Sequence, residues 1–311
     1  MKIHLAPLQG YTSADYRSLH NKYFGGIDKY YSPYLRFEPN KELKKSVLKD
    51  ILPENNEGIN LVPQLLGNDK DIFIELANQF EDYGYKEINW NLGCPYPMVT
   101  KRGFGSALMQ TPDKVKQILE TVLPKINIKL SVKCRLGFEH ETEVLSLVDV
   151  LNNLPIYELT IHTRTAKQMY KGEANSLAFI PVIKKTKHKL IYNGDIKTAE
   201  DIDDLNKLFD NNIDNFMIGR GLLMNPFLAQ EIKGKTYEKI EKFKILKQFI
   251  DELYEVNSKK LQPSHLIQRM TTHWEYLSFM FENRHKTFKK IKKAKSIAKY
   301  NIAINEILRG C

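Results

Sequence analysis

Eight short apolar runs, each followed by a helix-like segment, fill the first 230 residues and narrow the folds that this chain can adopt. The runs cover residues 3–8, 27–33, 59–66, 87–92, 128–135, 157–162, 189–193 and 215–219. Continuous rather than alternating apolar character is typical of parallel strands that are buried on both faces. A doubly wound sheet more usually has a glycine-rich GxGxxG turn after its first strand, whereas residues 6–10 here read APLQG. The pattern therefore predicts an α/β fold, a closed (β/α)8 TIM barrel over residues 1–235.

Residues 236–311 show helical periodicity without strand-like runs. Apolar residues spaced three and four apart predict helices over 243–256, 264–280 and 286–308. In the last of these helices we expect four residues to face the core: Phe288, Ile291, Ile297 and Ala298. The sequence therefore predicts a second domain, a C-terminal helical bundle that begins at residue 236.

Most of the positive charge belongs to this C-terminal region. The whole chain has a formal net charge of +10, and residues 231–311 alone contain 18 Lys and Arg against 9 Asp and Glu. Clustered basic side chains bind nucleic acid by releasing counterions from its phosphates. A solvated, lysine-rich helical surface is the alternative interpretation. The last predicted helix places several lysines on its outer face: Lys289, Lys292, Lys293, Lys295 and Lys299.

Several classes of protein are disfavoured by the composition. No stretch approaches the roughly 18 apolar residues of a membrane span, and the N-terminal residues MKIHLAPLQG lack the apolar segment of a signal peptide. Three distant cysteines, Cys94, Cys134 and Cys311, form neither a disulfide framework nor a CxxC metal site. We therefore expect a cytoplasmic monomer that has no metal and no membrane partner.

In a TIM barrel, functional residues lie at the C-terminal ends of the strands. The polar and turn-forming residues at these ends are Gln64, Asn91, Cys94, Lys133, Arg135, His162, Arg164, Asn193, Gly194, Asp195, Gly219 and Arg220. The last five follow strands seven and eight, where barrels often bind a phosphate through backbone N–H groups. Lys133 and His162 would suit an electron-rich cofactor ring such as a flavin, with a surface lysine and a structural histidine as the alternatives.

Cys94 lies in the turn NLGCP, beyond the end of the fourth predicted strand. A lone cysteine is usually a buried packing residue, and metal ligation is disfavoured because no second Cys or His stands at ligand spacing. A role for Cys94 as a nucleophile, activated by a base distant in sequence, stays open. The rigid turn, with Asn91 three residues earlier, favours a general acid that donates one proton to a bound substrate.

These residues resemble the flavin-dependent tRNA-dihydrouridine synthases over essentially the whole chain. The most specific part is the stretch from Asn91 to Leu108, which is similar to the family signature NxGCPxxxVxxxGxG. The supporting segments are residues 6–10 (APLQG), 64–67 (QLLG), 133–137 (KCRLG), 162–165 (HTRT), 193–196 (NGDI) and 219–221 (GRG). Leu8 stands where Met is common in the family, and Trp274 belongs to a segment that resembles its RNA-binding domain or is simply core of the bundle.

The resemblance implies an FMN cofactor, NADPH as its reductant and a tRNA uridine as the substrate. Hydride would reach uracil C6 while Cys94 protonates C5. The implied cofactor-binding residues are Pro7, Leu8, Gln64, Lys133, His162, Asn193, Gly194, Asp195, Gly219 and Arg220. The expected substrate contacts are Asn91, Arg135, Arg164, Tyr170, and also Lys101 and Arg102, which would close over the RNA backbone or else are solvated charges.

Three other functions compete with this one. An FMN barrel that reduces a free pyrimidine or an enone would explain the flavin residues but not the basic tail. A dihydrouridine synthase that acts on another RNA would explain both. An RNA-binding protein without catalysis would leave Lys133, His162 and Cys94 without a purpose.

Overall fold

The computed structural model describes residues 1–41, 43 and 45–309, and its central feature is a sheet of ten parallel strand segments. Cys311 lies outside the described residues. The segments are β1 (Lys2–Leu5), β2 (Lys29–Tyr31), β3 (Leu35–Arg36), β4 (Leu61–Val62), β5 (Gln64–Leu66), β6 (Glu87–Leu92), β7 (Lys129–Gly137), β8 (Glu158–Thr165), β9 (Lys189–Asn193) and β10 (Asn215–Ile218). They pair in the order β3-β5-β6-β7-β8-β9-β10-β1-β2-β4.

The sheet closes on itself where Pro63 separates β4 from β5. On one side, the Val62 carbonyl accepts a hydrogen bond from the Ser32 N–H at 3.1 Å. On the other side, the Pro63 carbonyl accepts from the Asn89 N–H at 2.9 Å. Because both neighbours bond to the same stretch of chain, the ends of the strand order meet. With β2–β3 and β4–β5 each forming one interrupted strand, the predicted eight-stranded barrel is confirmed.

Helices follow the strands on the outside of the barrel. The barrel helices are α1 (Ala14–Tyr23), α2 (Lys45–Asp50), α3 (Lys70–Asp82), α4 (Pro97–Thr100), α5 (Pro112–Val122), α6 (Glu143–Leu151), α7 (Ile180–Lys185), α8 (Ala199–Leu208), α9 (Arg220–Met224) and α10 (Leu228–Ile232). Their starts follow ordinary capping chemistry. In α8, the Thr198 side chain accepts from the Asp201 N–H while the Asp201 carboxylate accepts from the Thr198 N–H, a complete capping box.

Up to residue 309, the C-terminal region contains four α-helices: α11 (Lys239–Ser258), α12 (Pro263–Leu277), α13 (Arg284–Lys293) and α14 (Ile297–Arg309). The prediction of one helix over 286–308 is therefore wrong. Ala294 has a non-helical ψ of 97°, and Ser296 starts α14 by accepting at its Oγ from the Lys299 N–H at 3.3 Å. Ile291 faces inward as expected, whereas Ala298 is exposed.

The helical region packs directly on the barrel. The ring of Phe249 in α11 lies 4.9 Å from Phe24 and 5.8 Å from Tyr16, centroid to centroid. In α12, Trp274 is fully buried and its indole N–H donates to the Tyr300 hydroxyl at 3.1 Å. Trp274 is therefore a core residue. The division into two domains at residue 235 stays a prediction, because barrel and tail residues share one apolar cluster.

Candidate active site

Two cavities open at the C-terminal end of the barrel, and Tyr170 and Arg220 line both of them. The inner cavity, of about 280 Å³, is lined by most of the predicted residues: Pro7, Leu8, Gln64, Asn91, Cys94, Lys133, Arg135, His162, Tyr170 and Arg220. The outer cavity, of about 760 Å³, extends toward α11, and its predicted residues are Arg164, Tyr170, Gly194, Asp195 and Arg220. Folding therefore gathers residues from opposite sides of the barrel into one connected site.

Asn91 shapes the turn that presents Cys94. Its side-chain oxygen accepts from the backbone N–H groups of Gly93 at 2.9 Å and Cys94 at 2.8 Å. Its amide nitrogen donates to the Gln64 Oε1 atom at 2.7 Å. Asparagine three residues before the cysteine is thus explained by backbone geometry. Both ends of the Asn91 amide are used inside the protein, so its predicted contact with a substrate stays a prediction.

The segment after Cys94 folds back onto it instead of standing free. Both the N–H and the hydroxyl of Ser106 donate to the Cys94 carbonyl, at 3.1 and 3.0 Å. Gly105 has a φ of +58°, and a Cβ atom there would lie 2.7 Å from the same carbonyl oxygen. Glycine is required at this position both by the left-handed backbone and by the close approach.

The Cys94 thiol is only 6% exposed yet lines the inner cavity. Burial raises the pKa of this thiol, and the Tyr96 backbone N–H, the Tyr34 hydroxyl and the Arg135 charge oppose that shift without cancelling it. The thiol therefore keeps its proton at neutral pH. A protonated thiol at the edge of a cavity has the state that a general acid needs.

Lys133 reaches into the inner cavity from β7 without a carboxylate partner among the described residues. Its ammonium donates to the Asn193 Oδ1 atom at 2.8 Å, and Asn193 in turn donates to the Met217 carbonyl at 2.8 Å. Burial, followed by the nearby charge of Arg135, lowers the pKa of Lys133 to about 7. A buried cation held by a neutral amide is suited to an electron-rich ligand, which would restore its charge.

A cluster of charges surrounds Asp195 at the border of the two cavities. Arg164 forms a bidentate ion pair with the Asp195 carboxylate, and the Arg220 Nη2 atom lies 2.7 Å from it. His162 lies 3.3 Å from the Arg164 guanidinium, and burial together with Arg135 and Lys133 holds the pKa of this imidazole well below its usual value. Asp195 thus positions two guanidinium groups. These cations would attract a phosphate, whereas the carboxylate itself would repel it.

The two glycine turns after β9 and β10 lie against each other. A Cβ atom at Gly221 would lie 2.0 Å from the Ile196 carbonyl oxygen, so glycine is required for this contact. A Cβ atom at Gly219 would instead make ordinary van der Waals contact with Ala6 and Leu8, at 3.5 Å or more. Gly194 and Gly221 line the outer cavity, and a phosphate site at these turns stays a prediction.

Arg135 is tied to the backbone of two segments of the chain. Its Nε atom donates to the Gly93 carbonyl at 2.9 Å, and its Nη1 atom donates to the carbonyls of Thr165 and Met169, both at 2.8 Å. The Tyr170 ring lies 5.5 Å from the Arg135 guanidinium and 5.2 Å from that of Arg220. Arg135 therefore connects the Cys94 turn to the Tyr170 loop.

Lys101 and Arg102 lie outside both cavities. Both side chains are exposed, and Arg102 forms an ion pair with Glu38. The expectation that they close over RNA stays a prediction. The sequence analysis missed other residues of the inner cavity, of which the clearest is Tyr34; its place just after Pro33, at the end of the second predicted strand, was a usable signal. Tyr276 enters the same cavity from α12.

Two further structural findings bear on the expected partners. None of the helices among the described residues has the length and the apolar composition of a membrane-spanning segment. Within the same part of the chain, no group of three or more His, Cys, Asp or Glu side chains is placed to hold a metal ion.

Sequence comparison identifies relatives along nearly the whole chain. The family model described as "Dihydrouridine synthase (Dus)" matches residues 4–307. The chain is 32% identical to tRNA-dihydrouridine synthase B of Pasteurella multocida over 264 residues, which cover 82% of this chain and 78% of that protein. It is 28% identical to tRNA-dihydrouridine synthase B of Shewanella oneidensis over 284 residues, 90% of this chain and 84% of that protein.

Structure comparison supports the barrel. Histamine dehydrogenase from Rhizobium sp. 4-9 superposes with a TM-score of 0.56 at 12% identity, over 75% of this chain and 45% of that larger chain. The structure of TcOYE with pHBA superposes with a TM-score of 0.53 at 12% identity, over 75% of this chain and 89% of that one. At this level of identity the likeness concerns the fold.

Proposed function

The chain belongs to the dihydrouridine synthase family and is an oxidoreductase, and from this premise we propose that it reduces a uridine in tRNA to 5,6-dihydrouridine. FMN is the proposed cofactor and NADPH the proposed reductant. One observation carries the proposal: Cys94, the proposed acid, lines the same cavity as Gln64, Lys133 and His162, the proposed ring-binding residues. Acid and cofactor must both reach one pyrimidine ring, so a shared cavity is a requirement of this reaction.

The residues present fit a flavin mononucleotide. Lys133 is a half-buried cation whose hydrogen-bond partner among the described residues is a neutral amide, and the N1 and O2 edge of a flavin is electron-rich. The Nε atom of Arg164 is buried without a hydrogen-bond partner among the described residues. Arg164, Arg220 and the turns at Gly194 and Gly219 would hold the phosphate. When bound, the flavin would supply the hydride that NADPH provides.

Cys94 would supply the proton. As hydride reaches C6 of the uracil ring, negative charge develops toward C5, and the S–H bond of Cys94 breaks as the C5–H bond forms. Burial keeps the thiol protonated until that moment. The hydrogen bonds that Asn91 and Ser106 make to the backbone of Cys94 fix the direction of the thiol. General acids placed in this way typically contribute 10²–10⁴-fold.

Access to this cavity requires an unstacked base. The inner cavity, of about 280 Å³, is too small to admit a duplex, so the target uridine must leave the stack, which costs a few kcal/mol and is easiest in a loop. The segment from Arg284 to Lys299 contains eight Lys and Arg and no Asp or Glu. That run supports an RNA substrate over a free pyrimidine or an enone, because small neutral molecules do not need a phosphate-binding surface.

The proposal is tested by mapping dihydrouridine in total RNA from cells in which the gene is deleted and then restored. We expect one tRNA position to lose dihydrouridine on deletion, to regain it with the wild-type gene and to stay unmodified with Cys94→Ala. In vitro, Cys94→Ala should keep its flavin and its reduction by NADPH while RNA reduction falls by about 10²–10⁴-fold. A matched Cys134→Ala variant, altered at the buried neighbour on β7, should reduce RNA normally.

The other outcomes each point to a different function. A protein that purifies without a flavin would overturn both enzyme candidates and leave RNA binding alone. A flavoprotein that reduces free uracil or an enone but no RNA would support the related barrel reductase. Full activity of Cys94→Ala would remove the general-acid role.

A further inference from the structure

Tyr34 packs beside the proposed acid in the wall of the inner cavity. Pro33 has no N–H and interrupts the second barrel strand between β2 and β3. Tyr34 therefore lies in the break between these two segments. Its ring packs on the apolar cluster that contains Leu66 and Cys94. Its hydroxyl is close enough to the Cys94 side chain for each group to shift the pKa of the other. Pro33 and Tyr34 both line the inner cavity.

Few groups are available to the Cys94 sulfur once its proton has left. A thiolate formed there is destabilised by burial and faces three favourable groups: the Tyr96 backbone N–H, the Tyr34 hydroxyl and the Arg135 guanidinium. Arg135 is committed at Nε and Nη1 to three backbone carbonyls, so its effect on the sulfur is through charge. The Tyr170 hydroxyl also faces this region and, as a neutral group, adds no opposing charge at neutral pH. Tyr34 is thus the side chain placed to donate a hydrogen bond to the sulfur.

We propose that Tyr34 is a positioning residue for the reaction, whose hydroxyl donates a hydrogen bond to the Cys94 sulfur and stabilises the thiolate left by proton transfer. The inference rests on the proposed function. During the step, the S–H bond breaks and the C5–H bond forms, while the O–H bond of Tyr34 stays intact and its hydrogen turns fully toward the sulfur. Hydrogen bonds to charged acceptors are the strong ones.

The role differs from packing because it depends on one atom. Tyr34→Phe keeps the ring on the apolar cluster that contains Cys94 and removes only the hydroxyl. If Tyr34 served packing alone, the phenylalanine variant would behave as the wild type. If it stabilises the thiolate, loss of the hydroxyl makes Cys94 a weaker acid.

The experiment measures how fast iodoacetamide alkylates Cys94 as a function of pH in the flavin-loaded protein. Mass spectrometry of the Cys94 peptide separates this thiol from Cys134 and Cys311. In Tyr34→Phe we expect the midpoint of the alkylation profile to move to higher pH and the rate near pH 7.5 to fall roughly 10- to 100-fold, the equivalent of one lost hydrogen bond to a charge. The matched control is Tyr96→Phe, which keeps the backbone N–H beside the sulfur and should leave the profile unchanged.

Enzyme activity gives an independent readout. In Tyr34→Phe the maximal rate of RNA reduction should fall, and the alkaline limb of its pH profile should move upward with the thiol. An unchanged alkylation profile, or an equal shift in Tyr96→Phe, would overturn the proposal. Wild-type protein that reduces no RNA would instead overturn the proposed function, while the alkylation profiles would still decide whether Tyr34 acts on Cys94.

Discussion

The two ends of the barrel contain the same kinds of buried charge but neutralise it differently. At the N-terminal end, Lys29 lies 2.6 Å from Glu87 and 2.7 Å from Glu158, and Lys189 also pairs with Glu158 at 2.9 Å. At the C-terminal end, the only polar partner of Lys133 within the described part of the chain is the Asn193 amide. The first arrangement pairs its charges within the protein, whereas the second would gain a charge partner only from a ligand.

The pKa values of the two lysines express this difference. Burial alone would lower the pKa of Lys29, but Glu87 and Glu158 outweigh burial and the net shift is upward. At Lys133, burial and Arg135 act in the same direction and the pKa falls to about 7. In TIM barrels the N-terminal end serves stability and the C-terminal end serves chemistry. The different charge partners of Lys29 and Lys133 agree with this division.

Breaking the N-terminal network should have the largest effect on stability. We expect Lys29→Met to lower the free energy of unfolding by about 3–5 kcal/mol, because Glu87 and Glu158 would keep buried charges that have lost their shared partner. Urea unfolding measures the change. Flavin content and the rate of reduction by NADPH should stay normal in the protein that remains folded; a loss below 1 kcal/mol would contradict the account.

The matched substitution at the C-terminal end of the barrel should change the free energy of unfolding in the opposite direction. Lys133→Met removes a buried ammonium that lacks a carboxylate partner, so the flavin-free protein should gain about 1 kcal/mol of stability. The same variant should bind flavin more weakly, by roughly 10- to 100-fold, because a charge-assisted contact is lost. Urea unfolding and flavin titration report the two effects. Destabilisation of the flavin-free protein would mean that Lys133 is structural.

Buried histidines should make the fold sensitive to acid in both the barrel and the tail. Burial lowers the pKa of His4 in β1 to about 4 and that of His273 in α12 to about 3. Since the unfolded chain binds these protons near pH 6.5 and the folded chain does not, stability is retained above pH 6.5 and lost as the pH falls. The slope should be about 1.4 kcal/mol per pH unit for each histidine.

Urea unfolding at pH 7, 6 and 5 tests this dependence. A His273→Gln variant should lose part of the slope, whereas His285→Gln, at an exposed position of α13, should not. Because barrel and tail share one apolar cluster, we expect a single unfolding transition at each pH. Two transitions would support the domain boundary predicted at residue 235.

The exposed lysines of α13 have neither a buried charge partner nor a place in the lining of either cavity. Lys289, Lys292 and Lys293 are exposed residues of α13, in a segment without acidic residues. If they contact RNA phosphates, replacing all three by Gln should reduce the salt slope of RNA binding by about 0.7–0.9 per lysine. Flavin reduction by NADPH should be unaffected.

The matched control replaces three exposed barrel lysines, Lys114, Lys116 and Lys125. The slope should then stay as in the wild type. An equal decrease in both triple variants would indicate nonspecific attraction between RNA and a basic protein, and no decrease in the tail variant would place the RNA elsewhere.

The sequence by itself determined the barrel and most of the side chains around its mouth. Apolar runs, turn glycines and the residues at strand ends are local properties, so Gln64, Cys94, Lys133 and His162 were placed correctly at the C-terminal end before any contact was known. The same local reasoning failed where two helices replaced one, since the helical pattern continued across Ala294 and only the start of α14 at Ser296 marks the break.

Only the tertiary structure decided what each polar atom does. Asn91 bonds to Gln64, 27 residues away, and Arg135 bonds to Gly93, 42 residues away, so two predicted substrate contacts are engaged within the protein. The position of Tyr34 beside Cys94 has the same origin. Hydrogen-bond partners across a barrel depend on strand register and closure, which join residues distant in sequence, and no local periodicity encodes those pairings.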